Sequence, residues 1–262
     1  MINEFKEYLL TKYSMSTVTT YFNNVKDYFR FMDNSPIKIL NATKVDICNY
    51  IAYMDGLSPN TIKNRIMAVQ CYYRFIHKDI IDDIKVFSQK RLPSYLTLEE
   101  AKKLMEFYEG RNRLIIYVFL TTGIRLSELA NIRIENIDIE NKKITIIAKN
   151  HIEREVAITE KCKELLLPYM SGEGKLFNIG TRAISYIVKN AMDALGLKGS
   201  VHTLRHTFAT IMYEQTGDIL LVKNLLGHTS IESTQIYTHV VNERIKNAVD
   251  KNPLNQEVWY ES

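Results

Sequence analysis

Cysteine is scarce in this chain: three residues in 262, Cys48, Cys71 and Cys162, far apart and without a CxxC pair. An odd number at such spacings fits buried thiols in a reducing cytosol better than a disulfide frame or a zinc site. Long apolar runs are missing too. The longest, from Leu114 to Leu120, falls well short of the ~18 residues a membrane span needs. The N-terminus carries Glu4, Lys6 and Glu7 where a signal peptide would have its apolar core, so a cytoplasmic location is expected. There is no internal repeat, no glycine-rich phosphate loop and no acidic metal cluster. Hydrophobic residues at 46% and charged residues at 24% exclude a collagen-like, low-complexity or disordered chain.

A large excess of either charge is absent as well, since 34 basic and 30 acidic residues leave a net charge of only +4. Its distribution is uneven. Residues 1–92 hold 13 basic and 9 acidic side chains, and the remainder is balanced. A basic first third suits a polyanion, although an ordinary solvated surface has the same balance.

What is present is helical periodicity. Phe5, Tyr8, Leu9 and Tyr13 share one face, and so do Val18, Tyr21, Phe22, Val25, Tyr28, Phe29 and Met32. Ser35-Pro36 breaks the chain, Thr43 with Asp46 forms a capping box, and Ser58-Pro59 opens a helix that runs to about His77. Residues 1–88 therefore read as a four-helix bundle, and residues 89–95 as a linker. From residue 96 to 262 the chain reads as a mostly helical domain interrupted by a small antiparallel sheet. Ile132, Ile134, Ile137 and Ile139, then Ile144, Ile146 and Ile147, then Val156 and Ile158 alternate as three short strands. The fold class is mainly α, in two domains.

Four places in the second domain could carry chemistry. Arg125 follows a glycine turn at the start of a short helix, where a cation opposes the helix dipole; it is either an anion binder or a surface partner of Glu128. Lys149 lies on a hairpin tip, where most lysines are solvated. His202, Arg205 and His206 share a helical face. The histidine pair could bind zinc but lacks a third ligand, and His206 reads as a half-buried residue satisfied by backbone. Gly227-His228 separates two helices, the second carrying Tyr237, in the outline of a helix-turn-helix DNA reader. Together, two arginines can hold the non-bridging oxygens of a phosphodiester. A tyrosine can attack it covalently, and a lysine or histidine can protonate the departing oxygen.

The segments TTGIRLSEL, AKNHIER, HTLRHTFAT, LLGH and STQIYTH, in this order and spacing, resemble the tyrosine recombinase (phage integrase) family, most closely its Xer-type members. MSTVTTYFNNVKDYFRFM and LSPNTIKNRIMAVQCYYRFI resemble that family's SAM-like core-binding domain. The resemblance implies a site-specific DNA strand transferase. Tyr237 would be the nucleophile forming a 3′-phosphotyrosyl link, with Arg125 and Arg205 as the phosphate clamp and Lys149 as the acid to the leaving 5′-oxygen. His202 would assist proton transfer at the tyrosine, and His228 would bond the phosphate. Neither metal, ATP nor any other cofactor is implied. Around Lys149 the chain departs from the family's usual glycine-lysine-glycine: the flanks are Ala148 and Asn150, and Ile152 stands where a second lysine is common.

The partners implied are double-stranded DNA, three further copies of the chain in a tetramer on that DNA, and an accessory recombination protein. Val258-Trp259-Tyr260 would anchor the C-terminal tail on a neighbour. Lys63 and Arg65, after Pro59, are candidate DNA contacts. No room precedes residue 1 for the arm-binding domain of some phage integrases, which favours resolution of chromosome or plasmid dimers. Integration of a mobile element, a type IB topoisomerase activity and a non-catalytic helix-turn-helix protein are the competing readings.

Overall fold

The computed structural model describes residues 1–81, 84, 93–147, 153–228, 230, 234, 235 and 237. The chain divides into two compact units, Met1–Arg91 and Leu92–Ser262.

In the first unit, α1 (Ile2–Lys12), α2 (Met15–Phe31), α4 (Lys44–Tyr53) and α5 (Pro59–Phe75) form the expected bundle. The Ser35-Pro36 break is itself a helix start: Ser35 Oγ accepts the Lys38 N–H and Pro36 opens the short α3 (Pro36–Leu40). Proline there loses nothing, because the first N–H groups of a helix have no internal partner. The core is aromatic. Phe5, Tyr28, Tyr50, Tyr72 and Tyr73 are all buried. The buried hydroxyls of Tyr28 and Tyr73 bond each other at 2.7 Å, and Tyr73 also donates to the Ile39 carbonyl at 2.9 Å. That pairing satisfies polar atoms that would otherwise cost about 1–3 kcal/mol each.

The second unit is built on α7 (Gly110–Thr122), which is apolar nearly all round and buries Leu114, Ile115, Ile116, Val118, Phe119 and Leu120. A helix of that kind belongs at the centre of a domain. It packs against α6 (Leu98–Glu106) and α11 (Val201–Thr216). Around it lie α8 (Leu126–Leu129), α9 (Glu160–Leu166), α10 (Thr181–Ala194) and α12 (Ile219–Leu226).

The sheet is antiparallel in the order β1 (Ile137–Asp138), β2 (Lys143–Ile147), β3 (Glu153–Ala157). Ile144 and Ile146 pair with Val156 and Arg154 and point their apolar side chains into the core. The first strand is shorter than the isoleucine alternation predicts. Ile134–Asn136 is a 3-10 turn, because the Ile134 N–H and Ile132 carbonyl are engaged by Gly174 and Leu176 instead of β2. Most of the segment expected to form the helix that carries Tyr237, and the tail anchor 258–260, lie outside the described residues. Among the described residues, no helix is long and apolar enough to cross a membrane.

Candidate active site

Among the described helices that end on a glycine in the left-handed region are α7, at Gly123 (φ +63), and α12, at Gly227 (φ +63). Only glycine adopts this without strain. At Gly123 a Cβ would also lie 2.3 Å from the Phe208 ring. Such an ending leaves carbonyls at the helix C-terminus facing outward, at the negative end of the dipole. Both candidate clamp arginines are held there. Arg205, buried on α11, donates through Nη1 to the Gly123 carbonyl (2.5 Å) and through Nη2 to the Leu226 carbonyl (2.8 Å). Arg125, at the N-cap of α8, donates through Nη2 to the Gly227 carbonyl at 3.1 Å.

Arg125 also pairs with Glu128, as the spacing suggests. Its Nη1 reaches Oε1 and its backbone N–H reaches Oε2, each at 2.8 Å. The two readings of Arg125 therefore coincide, since the guanidinium is tethered yet 40% exposed. The Glu128 carboxylate is buried and bound on both oxygens by Arg154, at 2.7 and 2.9 Å. Burial alone would raise its pKa. The Arg154 bonds and the Arg125 N–H outweigh that and hold it at about 2. For Arg205, burial and then the neighbouring Arg125 charge bring the pKa down to about 10, so it remains a cation at neutral pH.

Tyr237 is fully buried among Phe208, Ala209, Tyr213, Val222 and Leu226. Its hydroxyl bonds His206 Nδ1 at 2.7 Å. Burial pushes its pKa up to about 12, against the opposing pull of Arg205. His206 is thus half-buried as expected, but its partner is this hydroxyl rather than backbone. Burial lowers its pKa first, followed by the charges of His202 and Arg205, which leaves it neutral at pH 7. His202, one turn earlier, is exposed. His228 Nδ1 bonds Thr234 Oγ1 at 2.9 Å. Burial, then Arg205 and Arg125, depress its pKa to about 4.

Arg125, Arg205, His228 and Tyr237 therefore share one electrostatic neighbourhood, joined by Glu128, Arg154 and His206, to which the sequence had given no part in the chemistry. Lys149 lies outside the described residues. In the first unit, Lys63 is exposed, whereas Arg65 is half-buried and pairs with Asp27 at 3.4 Å. Among the described residues, no three His, Cys, Asp or Glu side chains converge as metal ligands.

Residues 94–244 match the phage integrase family, and residues 2–79 match its N-terminal SAM-like domain. The chain belongs to the phage integrase family and is a site-specific tyrosine recombinase, a DNA strand transferase by class. It is 30% identical to the tyrosine recombinase XerC of Caldanaerobacter subterraneus subsp. tengcongensis, over 98% of this chain and 88% of that protein. It is 32% identical to XerC of Listeria monocytogenes, over 95% of each. Of solved structures, XerA recombinase is similar at 27% identity and a TM-score of 0.55, covering 94% of this chain and 96% of that one. XerH bound to difH substrate before cleavage shares the fold at a TM-score of 0.77 and 24% identity, covering 95% and 94%.

Proposed function

We propose that the Tyr237 oxygen attacks a DNA phosphorus held between Arg125 and Arg205, forming a 3′-phosphotyrosyl bond as the bond to the 5′-oxygen breaks. The single observation that carries this reading is the fixing of both guanidiniums on helix-end carbonyls beside the buried tyrosine. Each arginine keeps its charge, and together they oppose the extra negative charge that develops on the phosphate oxygens.

The tyrosine proton has to leave during attack. Ionising Tyr237 beforehand, from a pKa of about 12, would cost about 7 kcal/mol at pH 7. His206 Nδ1, neutral and already on the hydroxyl, is the nearest acceptor, and His202 on the same helical face passes the proton outward. His228, neutral as well, donates a hydrogen bond to the phosphate. Lys149, between β2 and β3, gives its proton to the departing 5′-oxygen. The phosphoester energy stays in the tyrosyl link, so rejoining needs neither ATP nor metal.

The DNA is a duplex, contacted in part through Lys63, while Arg65 stays on Asp27, and the active form is a tetramer joined by tails carrying Val258, Trp259 and Tyr260. Full-length similarity to XerC proteins supports dimer resolution of chromosomes or plasmids in the cytoplasm. The lambda integrase tetramer seen on a Holliday junction and XerH seen on difH substrate support the duplex and the tetramer. The test is a nicked suicide duplex carrying the host chromosome's recombination site. Wild type forms a covalent protein–DNA adduct, with or without EDTA, and Tyr237→Phe forms none while binding the duplex equally. Equal adduct from Tyr237→Phe would refute the assignment.

A further inference from the structure

Arg154 is the second arginine on Glu128, and its placement is unusually constrained. Its fork takes both carboxylate oxygens, and its side chain is only 16% exposed. Its stem lies under Gly227, where a Cβ would meet Arg154 Cδ at 2.7 Å and Nε at 2.8 Å. Arg154 therefore touches both groups that hold Arg125: the carboxylate that takes Nη1 and the glycine whose carbonyl takes Nη2.

The charges make this arrangement consequential. Glu128 is a buried anion shared between two cations, so the trio keeps one positive charge. Without Arg154, the carboxylate would have Arg125 as its remaining guanidinium partner. The buried carboxylate cannot stay unpaired, and so would draw Arg125 into a closed neutral pair. The field that Arg125 exerts on a phosphate would then largely be cancelled by its own neighbour. A lysine could return the charge but not the fork, since an ammonium is a point donor and cannot bind both oxygens in one plane.

We propose that Arg154 is a positioning residue for the phosphate clamp: by binding Glu128 on both oxygens and filling the space beneath Gly227, it leaves the Arg125 guanidinium free to face the phosphate. The inference rests on the reading of Arg125 and Arg205 as that clamp. Because Arg154 acts through charge at the phosphate, its loss should be relieved by removing charge from the phosphate. A merely structural role would respond to no such change in the substrate.

The experiment compares full-length wild type, Arg154→Met, Arg154→Lys and Arg125→Ala on two nicked duplexes carrying the recombination site. One has the ordinary scissile phosphate, and the other a methylphosphonate there, in which a methyl group replaces one charged oxygen. Thermal melting and duplex affinity are measured alongside. On the ordinary phosphate, Arg154→Met should form adduct at least about tenfold more slowly than wild type, with affinity within about threefold. On the methylphosphonate, its deficit relative to wild type should shrink to about threefold or less, as should that of Arg125→Ala, and Arg154→Lys should fall between. An Arg154→Met deficit that is equal on both duplexes, or no deficit at all, overturns the proposal while relief of Arg125→Ala leaves the clamp standing. If Arg125→Ala is not relieved either, the clamp reading itself fails and the proposal falls with it. Should Arg154→Met not fold, Arg154→Lys is judged by the same two-substrate comparison.

Discussion

Gly123→Ala offers a stringent test of how the site is built. Gly123 sits at φ +63, and an alanine there would pay about 1–2 kcal/mol for the left-handed backbone. The new methyl would also lie 2.3 Å from Phe208 Cδ1 and 2.8 Å from Cε1. Phe208 is buried with Ala209, Tyr213, Val222, Leu226 and Tyr237, so the ring can yield only by disturbing that cluster. Overpacking of this kind costs about 1–3 kcal/mol. The total of about 2–5 kcal/mol corresponds to a fall in Tm on the order of 10 °C for a domain of this size. Gly172→Ala is the control: it shares the positive φ (+94) but has nothing within 4 Å of a new Cβ. It should show the backbone cost alone, about half the effect or less. Differential scanning calorimetry on both variants decides. Because the Gly123 carbonyl holds Arg205, adduct formation by Gly123→Ala should also drop, even well below its Tm. Equal Tm shifts for the two variants, or a Gly123→Ala shift under about 2 °C, would refute the steric argument.

Glu128 in the second unit and two basic residues in the first give three further expected outcomes. Glu128 has a folded pKa of about 2 against an ordinary 4.5, so its contribution is fully present above the ordinary value and is lost as pH falls towards 2. That contribution is on the order of 3 kcal/mol; Glu128→Gln should lower stability at pH 7 and flatten the loss between pH 4.5 and 2, and an unchanged acid profile in denaturant titrations would contradict the assignment. On α5, Lys63→Ala should weaken duplex binding and reduce the slope of log affinity against log salt by about one ion. Arg65→Ala should instead lower the Tm more than the slope, because its guanidinium is engaged by Asp27; the reverse pattern in fluorescence-anisotropy titrations and melting would exchange the two roles.

Local chemistry was easy to read from the sequence and distant pairing was not. The capping box at Thr43–Asp46 and the Ser58-Pro59 start are written within four residues, and each fixes a helix end as expected. The contact between Arg125 and Glu128 is of the same kind. His206 and Tyr237 are 31 positions apart, and no spacing rule connects a helical histidine to a tyrosine on another segment. Arg154 could be seen only as a motif neighbour of Lys149; that its fork closes on Glu128 depends on β3 lying beside α8, which periodicity does not encode. The isoleucines at 132–139 misled for a different reason. Alternation of apolar residues describes which way side chains point, whereas the backbone at Ile132 and Ile134 bonds to the 174–176 segment rather than to β2.

Arg205 rests on two peptide oxygens and Arg125 on a third, so this part of their grip is specified by the course of the main chain, with Glu128 the one side group among the described residues that adds to it. A descendant of this gene could exchange much of the surrounding surface, and with it the DNA it prefers, while the catalytic cradle stayed in register. The tolerance ends at the two glycine corners, where a single added carbon would reach the machinery from behind.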